Sequence, residues 1–188
     1  ANGGFRGVSV GGLAVVSNSS LDGITAGGLA VVVNGSVRGI SAGGLALVSN
    51  GALDGISVGG LAVVGNGRVR GISAAGLAVV ANGPMTGAAV GGLVVVGTGL
   101  RGVAVGGAHV EGRWIQGLAV SAIRTRTWDL QGLSIAGYNR IKGDQRGLTI
   151  GLYNYAKRLH GVQLGLINNA RNNRGLLRVL PLVNVHLD

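Results

Sequence analysis

The chain predicts an all-β fold, a single elongated β-solenoid of short stacked coils, and three observations carry that expectation. A glycine recurs every sixteen residues, at Gly7, Gly23, Gly39, Gly55 and Gly71. The residue before it alternates in sign: Arg6, Asp22, Arg38, Asp54, Arg70. An asparagine holds one fixed place in the repeat, at Asn18, Asn34, Asn50, Asn66 and Asn82. If each repeat is one coil, equivalent residues lie about 4.8 Å apart, the spacing of hydrogen-bonded strands. Like charges at that distance repel, so alternating signs make a ladder of ion pairs. Amides stacked at the same spacing hydrogen-bond along their column. Gene duplication copies any residue, but it does not reverse a charge at every copy. The rival fold is an antiparallel barrel with one hairpin per repeat. It would set equivalent residues about 9.6 Å apart, and its strands would fall short of the ~9–11 residues that cross a membrane.

Within one coil, Leu21-Asp22-Gly23-Ile24-Thr25-Ala26 predicts a strand and Gly27-Gly28 a bend. Leu29 to Val33 predicts a second strand and Asn34-Gly35-Ser36 a turn. Asn-Gly is favoured where backbone φ must be positive. Alternation places Ile24 and Ala26 inward and Thr25 outward, with Leu29 and Val31 inward on the second strand. The expected interior columns are Val8, Ile24, Ile40, Ile56, Ile72 and Val10, Ala26, Ala42, Val58, Ala74. Ser9, Thr25, Ser41, Ser57 and Ser73 are expected outside as a hydroxyl column. Small residues in the second interior column imply a thin core.

The marker glycines continue as Gly87, Gly102, Gly117, Gly132, Gly147, Gly161 and Gly175, with spacing falling from sixteen through fifteen to fourteen. They imply about 11–12 coils of a tapering stack. One continuous domain is expected in three stretches. Residues 1–107 are regular glycine-rich coils, 108–175 are degenerate, more aromatic and more basic coils, and 176–188 form a C-terminal cap strand. Trp114, Trp128, Tyr138, Tyr153 and Tyr155 all lie in the second stretch. Tyr138 and Tyr153 take the repeat position of Leu29, which assigns them to the core. Pro181 cannot donate a ladder hydrogen bond and suits a terminal strand. Asn2-Gly3-Gly4 matches Asn34-Gly35-Ser36, so the chain opens in mid-turn and predicts an open strand edge there.

Composition narrows the class. Thirty-nine glycines among 188 residues, without a Gly-X-Y period, exclude collagen. A hydrophobic content of 47% gives enough apolar surface to fold. Glycine interrupts every apolar run, so no transmembrane helix is expected. The chain has no cysteine and opens without the basic and apolar regions of a signal peptide.

The net charge is +10, and twelve of the sixteen basic residues lie beyond residue 100. Arg124, Arg126, Arg140, Lys142, Lys157, Arg158 and Arg171 fall at matching coil positions and would stack into a basic edge. Such an edge attracts anionic glycans, lipopolysaccharide or lipid; nucleic acid is disfavoured because the tyrosines are assigned to the core. As a solvated face, the same edge would resist aggregation.

Enzyme features are sparse, and a non-enzyme is expected, with no catalytic, cofactor or metal site. His109, His160 and His186 lack metal-ligand spacing. Six carboxylates, two of them in the charge ladder, leave no acid–base pair. Gly97-Thr98-Gly99-Leu100-Arg101-Gly102 has a dinucleotide-binding spacing but no strand-to-helix context.

Two stretches carry a family resemblance. Gly147-Leu148-Thr149-Ile150-Gly151-Leu152-Tyr153-Asn154-Tyr155-Ala156 is one, and Leu159-His160-Gly161-Val162-Gln163-Leu164-Gly165-Leu166-Ile167-Asn168 is the other. They resemble the "GLQIGLxNxA" repeat of bacterial surface-repeat proteins first named from leptospiral lipoproteins, across roughly residues 117–185 and including Leu180-Pro181-Leu182-Val183-Asn184. The resemblance implies an exported or surface-exposed bacterial protein with no catalytic residues to transfer. The lipobox cysteine of the lipoprotein members is missing.

The expected function is therefore a structural, non-catalytic extracellular or cell-envelope solenoid that assembles end to end through its open N-terminal edge. The alternative is a binding module using the basic edge. A lesser alternative is ice binding, for which one serine per coil falls short of a double threonine rank.

Overall fold

The structure, a computed structural model, describes residues 4–187. Its strands are, in chain order, β1 Phe5–Gly11, β2 Ala14–Ser17, β3 Leu21–Gly27, β4 Ala30–Val33, β5 Val37–Gly43, β6 Ala46–Ser49, β7 Leu53–Gly59, β8 Ala62–Gly65, β9 Val69–Ala75, β10 Ala78–Gly91, β11 Val94–Gly106, β12 His109–Ser121, β13 Arg124–Ile135, β14 Tyr138–Ile150, β15 Tyr153–Ala170 and β16 Val179–His186. The strands stack as coils of about 16 residues, roughly ten in number, and the fold is a β-solenoid. The coils are fewer than twelve marker glycines suggest because Gly175 opens a 3-10 turn, Gly175–Arg178, and starts no further coil. Two compact units divide the chain, residues 1–98 and 99–188. Of the expected mid-turn start, Asn2 and Gly3 lie outside the described residues.

In the first unit, β1, β3, β5, β7, β9 and the second half of β10 pair in parallel without slippage. Arg6, Asp22, Arg38, Asp54, Arg70 and Thr86 therefore stand in register. β2, β4, β6, β8 and the first half of β10 build the second wall. The repeat glycine is what permits this stacking. All twelve marker glycines have positive φ, between 57° and 152°, a region that costs a residue with a Cβ dearly. A Cβ on Gly23 would also stand 2.1 Å from the Gly7 carbonyl oxygen. Neither the backbone conformation nor the spacing admits a side chain.

Leu21, Val37, Leu53, Val69 and Met85 form one buried column of this unit, and Val31, Leu47, Val63 and Val79 another. Alternation runs from Leu21, not from Ile24. It turns Leu21, Thr25 and Gly27 inward and Asp22, Ile24 and Ala26 outward. The two columns expected inside thus stand outside. Ile24, Ile40, Ile56 and Ile72 are 39–50% exposed, and Val8, Val10 and Val58 are exposed beside them, with Ala26, Ala42 and Ala74 on the same side. The hydroxyl column expected outside is instead internal, with Ser9 half-buried and Thr25, Ser41, Ser57 and Ser73 buried. The physical reason is space. A Cβ on the inward Gly27 would meet the Ala30 carbonyl oxygen at 2.2 Å, so the two walls nearly touch there. Beside such glycines a close-packed core holds a hydroxyl-sized group, not an isoleucine. Leu29 is also outside, whereas Val31 is buried.

In the second unit, β12 to β15 continue as parallel neighbours. β14 carries one extra residue between Ile141 and Asp144 relative to both neighbours, a bulge at Lys142–Gly143. Ile115, Leu130, Ile141 and Leu159 fill the core beside buried polar side chains larger than those of the first unit. Asn139, Asn154 and Asn168 link through their amides at 2.8 and 2.7 Å, and Gln163 donates to Gln145 at 3.0 Å. β16 pairs antiparallel with β15 and covers its outer edge. Pro181 falls opposite a register shift in that pairing, where no ladder hydrogen bond is required of it.

Candidate functional site

The two ladders anticipated from the repeat stand in the first unit. Asp22 lies 3.7 Å from Arg6 and 3.9 Å from Arg38, one coil to either side. Asp54 takes its ion pair from Arg68, in the next turn, at 3.7 Å. Arg38 and Arg70 face Asp54 in register without an ion pair inside 4 Å. Exposed pairs of this kind contribute only a fraction of a kcal/mol each. The asparagine column is continuous: Asn34, Asn50, Asn66 and Asn82 each donate to the asparagine one coil earlier, at 2.6–2.9 Å. Both ladders hold coils together and leave no group poised for chemistry.

The basic edge lies on β13, β14, β15 and the residues just after them, all in the second unit. Burial of Thr125, Thr127, Asn139, Ile141, Asn154 and Ala156 fixes which side is inward. Arg124, Arg126, Arg140, Lys142 and Lys157 therefore share the outward side. Arg171 joins them, since its backbone N–H donates to the Ala156 carbonyl and sets it above Lys157. Arg126 stands directly opposite Arg140, and Arg140 opposite Tyr155. Two cations are neutralised locally, Arg126 by Glu111 at 3.8 Å and Arg158 by Asp144. Lys142 sits with its Nζ 5.3 Å from the Trp128 ring centroid, a favourable cation–π distance.

Tyr138 and Tyr153, assigned to the core from the repeat, are half-buried on this outward side and stack with ring centroids 5.2 Å apart. Counting from the marker glycine gives them the place of Leu29, but the bend before β14 and β15 is one residue shorter. The register sets Tyr138 opposite Arg124 and Arg124 opposite His109, and His109 holds the place of Ala30. That place precedes the buried column of Val31 and Asn139 and so faces outward.

Four further residues contribute that the repeat pattern does not assign to the edge. Arg113 and Trp128 head the outward column that continues through Lys142, Lys157 and Arg171, and their spacing of fourteen to fifteen residues was the available clue. His109 and Glu111 form a pair, Nε2 to Oε2 at 2.9 Å. The hydrogen bond from His109 holds the Glu111 carboxyl below its usual range; burial opposes the shift, and the nearby arginines, Arg126 foremost, reinforce it.

The first unit has a second outward feature. Beside the isoleucine column, Leu29, Leu45, Leu61, Leu77 and Leu93 are 44–50% exposed. Between these ridges runs a shallow groove lined by Ala26, Gly27 and Gly28 and their counterparts in neighbouring coils. A Cβ on Gly28 would stand 1.9 Å from the Gly12 carbonyl oxygen, so the groove floor is backbone.

A polar recess of about 210 Å³ lies in the second unit, bounded by Trp114, Gln116, Asp129, Gln131, Asp144 and Arg146. That is below the ~300–1,000 Å³ of ordinary small-molecule sites. Among the described residues no cluster of three or more His, Asp or Glu side chains could hold a metal ion. Among the described residues no helix is long and apolar enough to cross a membrane. The serine rank on which the ice-binding reading depended is inside the coil. No protein-family model, curated protein or solved structure significantly matches the chain.

Proposed function

We propose that this chain is a non-catalytic structural solenoid of the bacterial cell surface or extracellular space, associating side to side with further copies through the apolar outer face of its first unit. The observation that carries this reading is the continuous pair of ridges, Ile24 to Ile72 and Leu29 to Leu93. Six coils at about 4.8 Å, crossed by about six residues at ~3.3 Å, give a face of roughly 600 Å². Pairing two such faces buries about 1,200 Å², the lower end of specific interfaces. Isolated soluble domains seldom leave an apolar patch of that size uncovered. The surface location rests on the resemblance of residues 147–168 to exported repeat proteins. The side-to-side contact uses a different surface from the end-to-end contact expected from the sequence and is proposed beside it.

Size-exclusion chromatography with light scattering tests the proposal. Concentration-dependent multimers are expected, and Ile40→Lys with Leu45→Lys should return the chain to monomer with an unchanged β-sheet circular dichroism spectrum. A monomer at all concentrations, or multimers indifferent to both substitutions, overturns it.

A further inference from the structure

We infer that the outward face of β13 to β15 binds a linear anionic polysaccharide, running along the stacked coils. The first unit shows how this fold manages a column of charges when stability is the only concern: it alternates their sign. The second unit does not. Arg126 is stacked on Arg140, and Lys142, Lys157 and Arg171 follow one another in the neighbouring column. Like charges one strand apart are destabilising. Glu111 and Asp144 neutralise only Arg126 and Arg158. Among the described residues, Arg113, Arg140, Lys157 and Arg171 have no carboxylate within ion-pair distance. A partner bearing a regular row of anions relieves that repulsion, and the coils offer it cations at about 4.8 Å intervals.

The aromatic residues decide between polymers. Single-stranded nucleic acid binds by stacking bases on open aromatic faces. Here Tyr138 and Tyr153 stack on each other across adjacent coils, and Lys142 covers Trp128. Each tyrosine thus has one ring face taken by the other, and the Trp128 ring carries a lysine, so fewer faces are open to bases than a nucleic-acid platform needs. Sulfated and uronate chains share the required chemistry.

The test is retention on immobilised heparin (a sulfated chain), followed by titration with heparin and with polygalacturonate (a carboxylated one). Uncharged dextran, a single-stranded oligonucleotide and phosphatidylglycerol vesicles are run at the same salt concentration. Binding to either anionic glycan and none to dextran is expected, weakening steeply with salt as counterion release requires. The variant Arg140→Gln, Lys157→Gln, Arg171→Gln should bind about tenfold more weakly or worse, with an unchanged circular dichroism spectrum. Arg70→Gln, which removes an exposed cation from the first unit, should bind like the parent. No glycan binding, an equal loss in Arg70→Gln, or tighter binding to the oligonucleotide or vesicles each overturns the inference.

Discussion

A methyl group on Gly39 would stand 2.2 Å from the carbonyl oxygen of Gly23, one coil below it. The obstacle is backbone, so no side chain can swing aside, and Gly39 also holds φ at 103°. Gly39→Ala combines backbone strain with a clash in the middle of a parallel ladder. It should cost about 3 kcal/mol or more in denaturant unfolding. Gly7→Ala is the control, since Gly7 has the same φ sign but a Cβ there meets nothing within 4 Å. It should cost about 1–2 kcal/mol. Equal costs at the two sites would show that conformation alone, and not the stacking, selects glycine.

The two asparagine columns separate the effect of burial from that of hydrogen bonding. Asn50 sits in the exposed column, donating to Asn34 at 2.8 Å and accepting from Asn66 at 2.6 Å. Water replaces both partners on truncation, so Asn50→Ala should cost about 1 kcal/mol. Asn154 is fully buried. It donates to the Leu164 carbonyl at 2.8 Å and to Asn168 at 2.7 Å, and accepts from Asn139. Asn154→Ala strands all three partners without solvent and should cost about 3 kcal/mol or more. Thermal unfolding of the two variants side by side checks the order.

What the sequence disclosed and what it withheld divide along one line. Register was legible because it is written in columns sixteen residues apart. Asp22 reaches both Arg6 and Arg38, and Asn18 to Asn82 bond in series. Facing was not legible, because a two-residue period has two phases and hydrophobicity selected the wrong one. Ile24 is the more apolar residue, yet Thr25 is the one that fits between walls drawn together by Gly27. Tyr138 and Tyr153 fall outside the core for another reason: the bend before each is one residue shorter than in earlier coils, which moves them off the Leu29 place. The basic residues of the second unit were identified, but not Arg113 and Trp128, because the bulge at Lys142–Gly143 makes their column step irregularly.

Glu111 gives the second unit a pH response of definite sign. Its carboxyl titrates below the usual range, chiefly through the hydrogen bond from His109. A carboxyl held low in the folded state binds its proton more readily when unfolded. It therefore stabilises the fold above the ordinary carboxylate range and loses that contribution as pH falls through the folded value. The side chain is 39% exposed, so solvent screening limits the effect to a few tenths of a kcal/mol. Glu111→Gln should be slightly less stable than the parent near neutral pH and indistinguishable from it in strong acid. A stability gap that widens on acidification would contradict the assignment.

The inverted facing of the first-unit strands makes neighbouring residues respond in opposite ways. Ser41 is 1% exposed and Ile40 is 46% exposed. Under the usual hydrophobic pattern, replacing the serine by isoleucine should help and replacing the isoleucine by serine should harm. The structure requires the reverse. Ser41→Ile forces two additional heavy atoms beside the inward Gly43, whose Cβ position already lies 2.1 Å from the Ala46 carbonyl oxygen. Overpacking of that kind costs about 1–3 kcal/mol. Ile40→Ser removes an apolar side chain from the surface and should change monomer stability by about 0.5 kcal/mol or less, while weakening association of copies through the ridge it belongs to. Chemical denaturation at low protein concentration measures the first effect, and light scattering at high concentration the second. If Ile40→Ser proves the more damaging to folding, the isoleucines belong inside after all, and the apolar face disappears with them.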